Sequence, residues 1–98
     1  MMRRLVFRPE AAQEIGDAAA WHEDQREGLG VRFLAEVERF LDHIAENPHA
    51  CGEVEPGVRR GILRRFPYGI YYSTDDDAVV VLAVLHFSRH PDTWKRQA

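Results

Sequence analysis

The run VVVLAVLHF at 79–87 is apolar on both phases of a two-residue alternation. A strand of that kind has no face to offer water, so it belongs inside a sheet that is covered on both sides. The rest of the chain must therefore supply flanking strands and at least one layer of helix. Its 98 residues, 45% hydrophobic and 30% charged, suffice for one such domain over 1–98.

The segments before the run supply those parts. Stretches 58–66 and 68–74 read as two more strands, and Asp75-Asp76-Asp77 is a polar turn of hairpin length before 79–87. In 58–66, Arg60, Ile62, Arg64 and Phe66 alternate with Arg59, Leu63 and Arg65. In the last strand, His86 continues the face of Val80, Leu82 and Val84. Segment 49–57 is rich in turn residues and reads as a loop.

The N-terminal half has a helical pattern. A short strand over 3–8 places Leu5 and Phe7 on one face, and Pro9 then suits a first helical turn with Glu10 against the dipole. From 9 to about 26, Ala12, Ile15, Ala19 and His22 recur at helical spacing, with Trp21 and His22 filling space between helices. Gly28-Leu29-Gly30 breaks this helix. A second follows over 31–46 with Phe33, Leu34, Val37, Phe40, Leu41 and Ile44 on one stripe, until Asn47-Pro48 stops it. The expected fold is α+β, β-α-α-β-β-β, an antiparallel sheet packed against a helical hairpin. The first strand lies at an edge, and the tail forms one turn around Trp94.

Several function classes drop out. No apolar run approaches the roughly 20 residues of a membrane span, and Leu5-Val6-Phe7 is too short for a signal peptide. Cys51 is the single cysteine, which excludes an internal disulfide and fits a reducing cytoplasm. His86 and His90 straddle a strand end and Cys51 has no partner, so neither a metal site nor any cofactor is expected. Charge is uneven: residues 1–57 carry −6 and residues 58–98 carry +3, within a formal total of −3. Such asymmetry suits one face that meets a polyanion, or simply an unevenly charged solvated surface.

Particular blocks carry a resemblance. FRPEAAQEI at the start, WHEDQREGLGVRF between the helices and ENP after them are similar to plasmid-stabilisation members of the RelE/ParE superfamily. So are RRFPYGIYY and VLAVLHFSRHPDTWKR, whose order and spacing match that superfamily's Arg-Phe-Pro-Tyr strand and its His-x-x-Arg-x-Pro-x-x-Trp ending. The resemblance implies the toxin of a type II toxin–antitoxin module, which inhibits growth and is neutralised by a cognate antitoxin. ParE-like members poison DNA gyrase, the reading slightly favoured here. RelE-like members cut messenger RNA on the ribosome, and a degenerate member would bind antitoxin without toxicity. Fold alone does not choose among them.

Metal-free RNA cleavage needs a proton acceptor, cations around the phosphorus and a proton donor for the leaving oxygen. Arg65, His86 and Arg89 are the catalytic candidates, because they fall in the stretches that resemble the family. Arg60, Arg64 and Tyr71 are candidates for contacting nucleic acid or another target. Each has a structural alternative. His86 serves equally as a core histidine, Arg59 and Arg60 as surface partners of Glu53 and Glu55, and Tyr68 and Tyr72 as core aromatics. The acidic total and single lysine weigh against docking on ribosomal RNA.

Overall fold

The computed structural model describes residues 2–88. Arg4–Phe7 forms β1, Pro9–Gln25 forms α1 and Leu29–Glu46 forms α2. Four strands follow: β2 (Glu53–Glu55), β3 (Val58–Ile62), β4 (Tyr68–Thr74) and β5 (Ala78–His86). They make one sheet in the order β1-β5-β4-β3-β2, with the helices on one face.

The expected antiparallel meander is present in β3, β4 and β5. The sheet as a whole is mixed, because β1 runs parallel to β5, from Arg4 opposite Ala78 to Phe7 opposite Val81. Both strands start at the same end. The Arg3 Nε–H donates to the Asp75 carbonyl in the β4–β5 turn, and the Arg3 backbone N–H to the Ala45 carbonyl of α2. Those bonds tie the start of β1 to the β4–β5 turn and to α2, and β1 leads straight into α1.

β2 lies within the stretch expected to be a loop. Pro56 and Gly57 join it to β3, and Gly57 has φ +80°. A proline followed by a left-handed glycine is the sequence of a type II turn, and the Glu53 carboxylate accepts the Gly57 N–H at 2.7 Å. The signal was Pro-Gly between short β-like runs.

The helical hairpin turns at Gly28, whose φ of +86° reverses the chain. α2 starts at Leu29, two residues before the expected start. Its first turn holds no acid of its own, and Glu23 of α1 takes that part by accepting the N–H groups of Gly28 at 2.8 Å and Gly30 at 2.9 Å. These bonds hold the Glu23 carboxyl below its ordinary pKa. Gly30 therefore belongs to the helix, and its lack of a side chain serves packing: a Cβ there would lie 2.5 Å from the Ala19 carbonyl.

α1 presents Ala11, Ile15, Ala18, Ala19 and His22 to the core, so Ile15, Ala19 and His22 of the expected stripe face inward, while Ala12 is exposed and Ala11 takes its place. Trp21 is 58% exposed and does not fill space between the helices. On α2, Phe33, Val37, Leu41 and Ile44 are buried and Leu34 is exposed. They meet Ile70, Tyr72, Val79, Val81 and Val84 of the sheet.

A bulge sets the faces of β5. Tyr71 pairs with Ala83 but Tyr72 with Val81, so Leu82 is the extra residue. Val79 and Val81 face the helices before it, and Val84 does so after it. Val80, Leu82, Ala83 and Leu85 lie with Tyr71 on the far face. His86 pairs with Tyr68 and so shares the helix-side face with Val84. The expected grouping with Val80 and Leu82 is corrected by that one inserted residue.

Candidate functional site

β3 ends at Ile62, four residues short of the expected strand. The chain then folds back through residues 63–67, with Leu63 N–H bonded to the Tyr68 carbonyl and Tyr68 N–H to that of Phe66. Leu63 and Phe66 turn inward, which leaves Arg64 and Arg65 exposed side by side. The Arg65 backbone N–H donates to the buried Glu36 carboxylate of α2 at 3.0 Å. That bond ties the loop to the helix and forms a cleft of about 690 Å³ between them. Arg64 and Arg65 stand on its loop wall, Arg32 and Arg39 on its α2 wall, and Leu29, Phe66 and Pro67 add apolar surface.

A second cleft, of about 530 Å³, lies between α1 and the end of β5. Glu14, Asp17 and Trp21 line one side, and Tyr68, His86 and Ser88 the other. β1 ends opposite Val81, so among the described residues the outer edge of β5 has no strand beside it from there. Glu14 compensates by accepting the Val84 N–H at 2.9 Å. The Ser88 backbone N–H points at His86 Nδ1 from 3.0 Å, with the Ser88 hydroxyl at 2.9 Å. Nδ1 is thereby an acceptor, so in neutral His86 the proton resides on Nε2.

An aromatic wall separates the clefts. His22 Nε2 lies 3.2 Å from the Tyr68 hydroxyl, and the His22 ring also packs against Phe33 and Phe66 with centroids 5.2 and 5.0 Å away. Tyr68 in turn meets the edge of His86 at 5.2 Å. Burial, and secondly the nearby His86 charge, push the His22 pKa below its ordinary value.

The candidate residues thus fall into separate places. Arg64 and Arg65 line the first cleft and His86 the second. Arg60 is exposed on β3 opposite Tyr71, which is 8% exposed and packed on the far face of the sheet. Arg59 donates to the Cys51 carbonyl. Tyr72 is core, its hydroxyl donating to the Pro48 carbonyl at 3.0 Å, and burial raises its pKa. Arg89, His90 and the turn expected around Trp94 lie outside the described residues. Among the described residues, no three His, Cys, Asp or Glu side chains gather as metal ligands. Sequence reasoning missed Arg32 and Arg39. Their spacing of seven on one helix puts them on a shared face, which was the available signal.

Residues 5–91 match the family model described as ParE toxin of type II toxin-antitoxin system, parDE. The chain belongs to the ParE toxin family. It is thus the toxin component of a type II toxin–antitoxin module. Among solved structures, one titled "Chromosomal ParDE TA system from P. aeruginosa" is similar at a TM-score of 0.70 and 19% identity, covering 87% of this chain and 96% of that one. At that identity the likeness shows a shared ParE-like fold. Among curated proteins, none matches the sequence. No described helix of this ParE-family chain is long and apolar enough to cross a membrane.

Proposed function

We propose that this ParE-family toxin inhibits growth in the cytoplasm by docking on DNA gyrase, and that a cognate antitoxin neutralises it by occupying part of its surface. The observation that carries this reading is the division of the described candidate groups, Arg64 and Arg65 from His86, between two clefts. Phosphoryl chemistry needs the proton-transfer group and the charge-stabilising cations around one reacting phosphorus. Here Arg64 and Arg65 stand on one side of the His22–Tyr68 wall and His86 on the other. Docking needs only complementary surfaces, which the described walls of the two clefts can offer. Arg64, Arg65 and His86 then act as contact residues.

The test is induction of the chain in a bacterium with translation and DNA integrity followed in one culture. Filamentation and a DNA-damage response while protein synthesis continues supports docking on gyrase. Rapid loss of protein synthesis with cut messenger RNA overturns it.

A further inference from the structure

Four arginines meet in one cleft of a chain whose formal total is −3. Leu29, Arg32, Glu36 and Arg39 follow one another along a single face of α2 and form one wall. Arg64 and Arg65 form the other, on a loop whose path is fixed. Leu63 and Phe66 are buried on either side of them, Leu63 N–H bonds the Tyr68 carbonyl, and Arg65 N–H bonds Glu36. Held elements thus carry all four arginines to a common space.

That space is short of counter-charge. Among the described residues, none of the four makes a side-chain hydrogen bond or ion pair. Glu36, the one carboxylate lining the cleft, is buried and already accepts the Arg65 N–H. Four arginines against one glutamate leave a formal +3 in about 690 Å³, a volume typical of small-molecule sites. Like charges on facing walls repel unless an anion lies between them.

The surroundings limit that anion's size. Arg32 to Arg39 spans about 10 Å of helix, more than one phosphate group reaches and within the reach of two or three linked ones. Acids bracket the span: Glu27 precedes it at the hairpin turn, and Asp42 and Glu46 follow it on α2. A long polyanion runs onto those acids, whereas a compact one does not. At its Leu29 end the cleft turns apolar, with exposed Pro67 beside Leu29 and Phe66 behind them. A flat heterocycle suits such a surface, and an arginine plane can stack on it.

We propose that this cleft binds a nucleoside di- or triphosphate, with its phosphates among Arg32, Arg39, Arg64 and Arg65 and its base against Leu29, Phe66 and Pro67. Guanidinium forks suit phosphate oxygens in paired contacts. The proposal goes beyond docking on gyrase and does not depend on it, since ligand and cleft involve this chain alone.

The test is calorimetric titration of the folded chain with ATP, ADP, tripolyphosphate and adenosine in magnesium-free buffer. ATP and ADP are expected to bind, ATP the more tightly, and adenosine to give no heat. Tripolyphosphate, lacking the base, is expected to bind roughly tenfold more weakly than ATP. Arg39→Gln/Arg64→Gln is expected to weaken ATP binding by roughly tenfold to a hundredfold. Arg4→Gln, on the edge strand β1 and outside the cleft, is expected to leave it unchanged. Circular dichroism checks that each variant folds. No binding of ATP to wild type overturns the proposal, as does an equal loss in Arg4→Gln, which marks diffuse surface charge. Tripolyphosphate binding as tightly as ATP overturns the nucleoside assignment. A 12-nucleotide single strand that displaces ATP at lower concentration than ADP does so overturns the small ligand in favour of nucleic acid.

Discussion

His22 Nε2 and the Tyr68 hydroxyl stand 3.2 Å apart in the wall between the two clefts, joining α1 to the middle of the sheet. Phe33 of α2 packs on both rings, with centroids 5.2 and 5.0 Å away, so this contact holds the helical hairpin against the strands. A charge placed there has little water to solvate it.

Protonation of His22 should therefore loosen the fold. Its folded pKa lies below the ordinary 6.5, through burial and then the His86 charge. Below pH 6.5 the unfolded chain takes up a proton more readily than the folded one. The His22 contribution is thus fully present above pH 6.5 and is progressively lost as pH falls through the folded pKa. Melting temperature is expected to drop from pH 7 to pH 5, and His22→Gln to flatten that part of the profile. An unchanged slope in the variant would contradict the assignment.

The two helical glycines should respond in opposite directions. Gly30→Ala brings a Cβ to 2.5 Å from the Ala19 carbonyl and is expected to cost about 1–3 kcal/mol by forcing the helices apart. Gly16→Ala meets nothing within 4 Å on exposed α1 and is expected to add about 0.5–1 kcal/mol. Urea denaturation of both variants checks the pair.

Tyr72→Phe removes a buried hydroxyl and leaves the Pro48 carbonyl without that donor. A loss of about 1–2 kcal/mol is expected. It should appear in the denaturation midpoint with growth inhibition retained, since Tyr72 is core and lines neither cleft.

The limits of the sequence are specific. The apolar run at 79–87 marked the interior strand, and Pro9, Asn47-Pro48 and the acidic turn placed both helices and the meander. The faces of β5 were not legible, because a bulge at Leu82 leaves no composition signal yet reverses every later side chain. That single residue moved His86 to the helix side. The parallel pairing of β1 joins Arg4–Phe7 to Ala78–Val81, across a stretch of sequence that no local pattern spans. The arginine cleft needed Arg32 and Arg39 brought against Arg64 and Arg65 by the 63–67 loop, where the alternation at 58–66 had suggested one unbroken strand.

His86→Ala distinguishes chemistry from contact. With His86 in one cleft and Arg64 and Arg65 in the other, toxicity is expected to fall by no more than a few-fold. Loss of all toxicity in a variant shown to fold would favour a catalytic histidine. Growth curves and circular dichroism of the same variant provide the check.

The most direct test of the central claim is a supercoiling assay with purified gyrase and the purified chain, run beside a cell-free translation reaction. The account predicts that the chain inhibits supercoiling or traps cleaved DNA while translation proceeds. Untouched gyrase with halted translation and cut messenger RNA would contradict it.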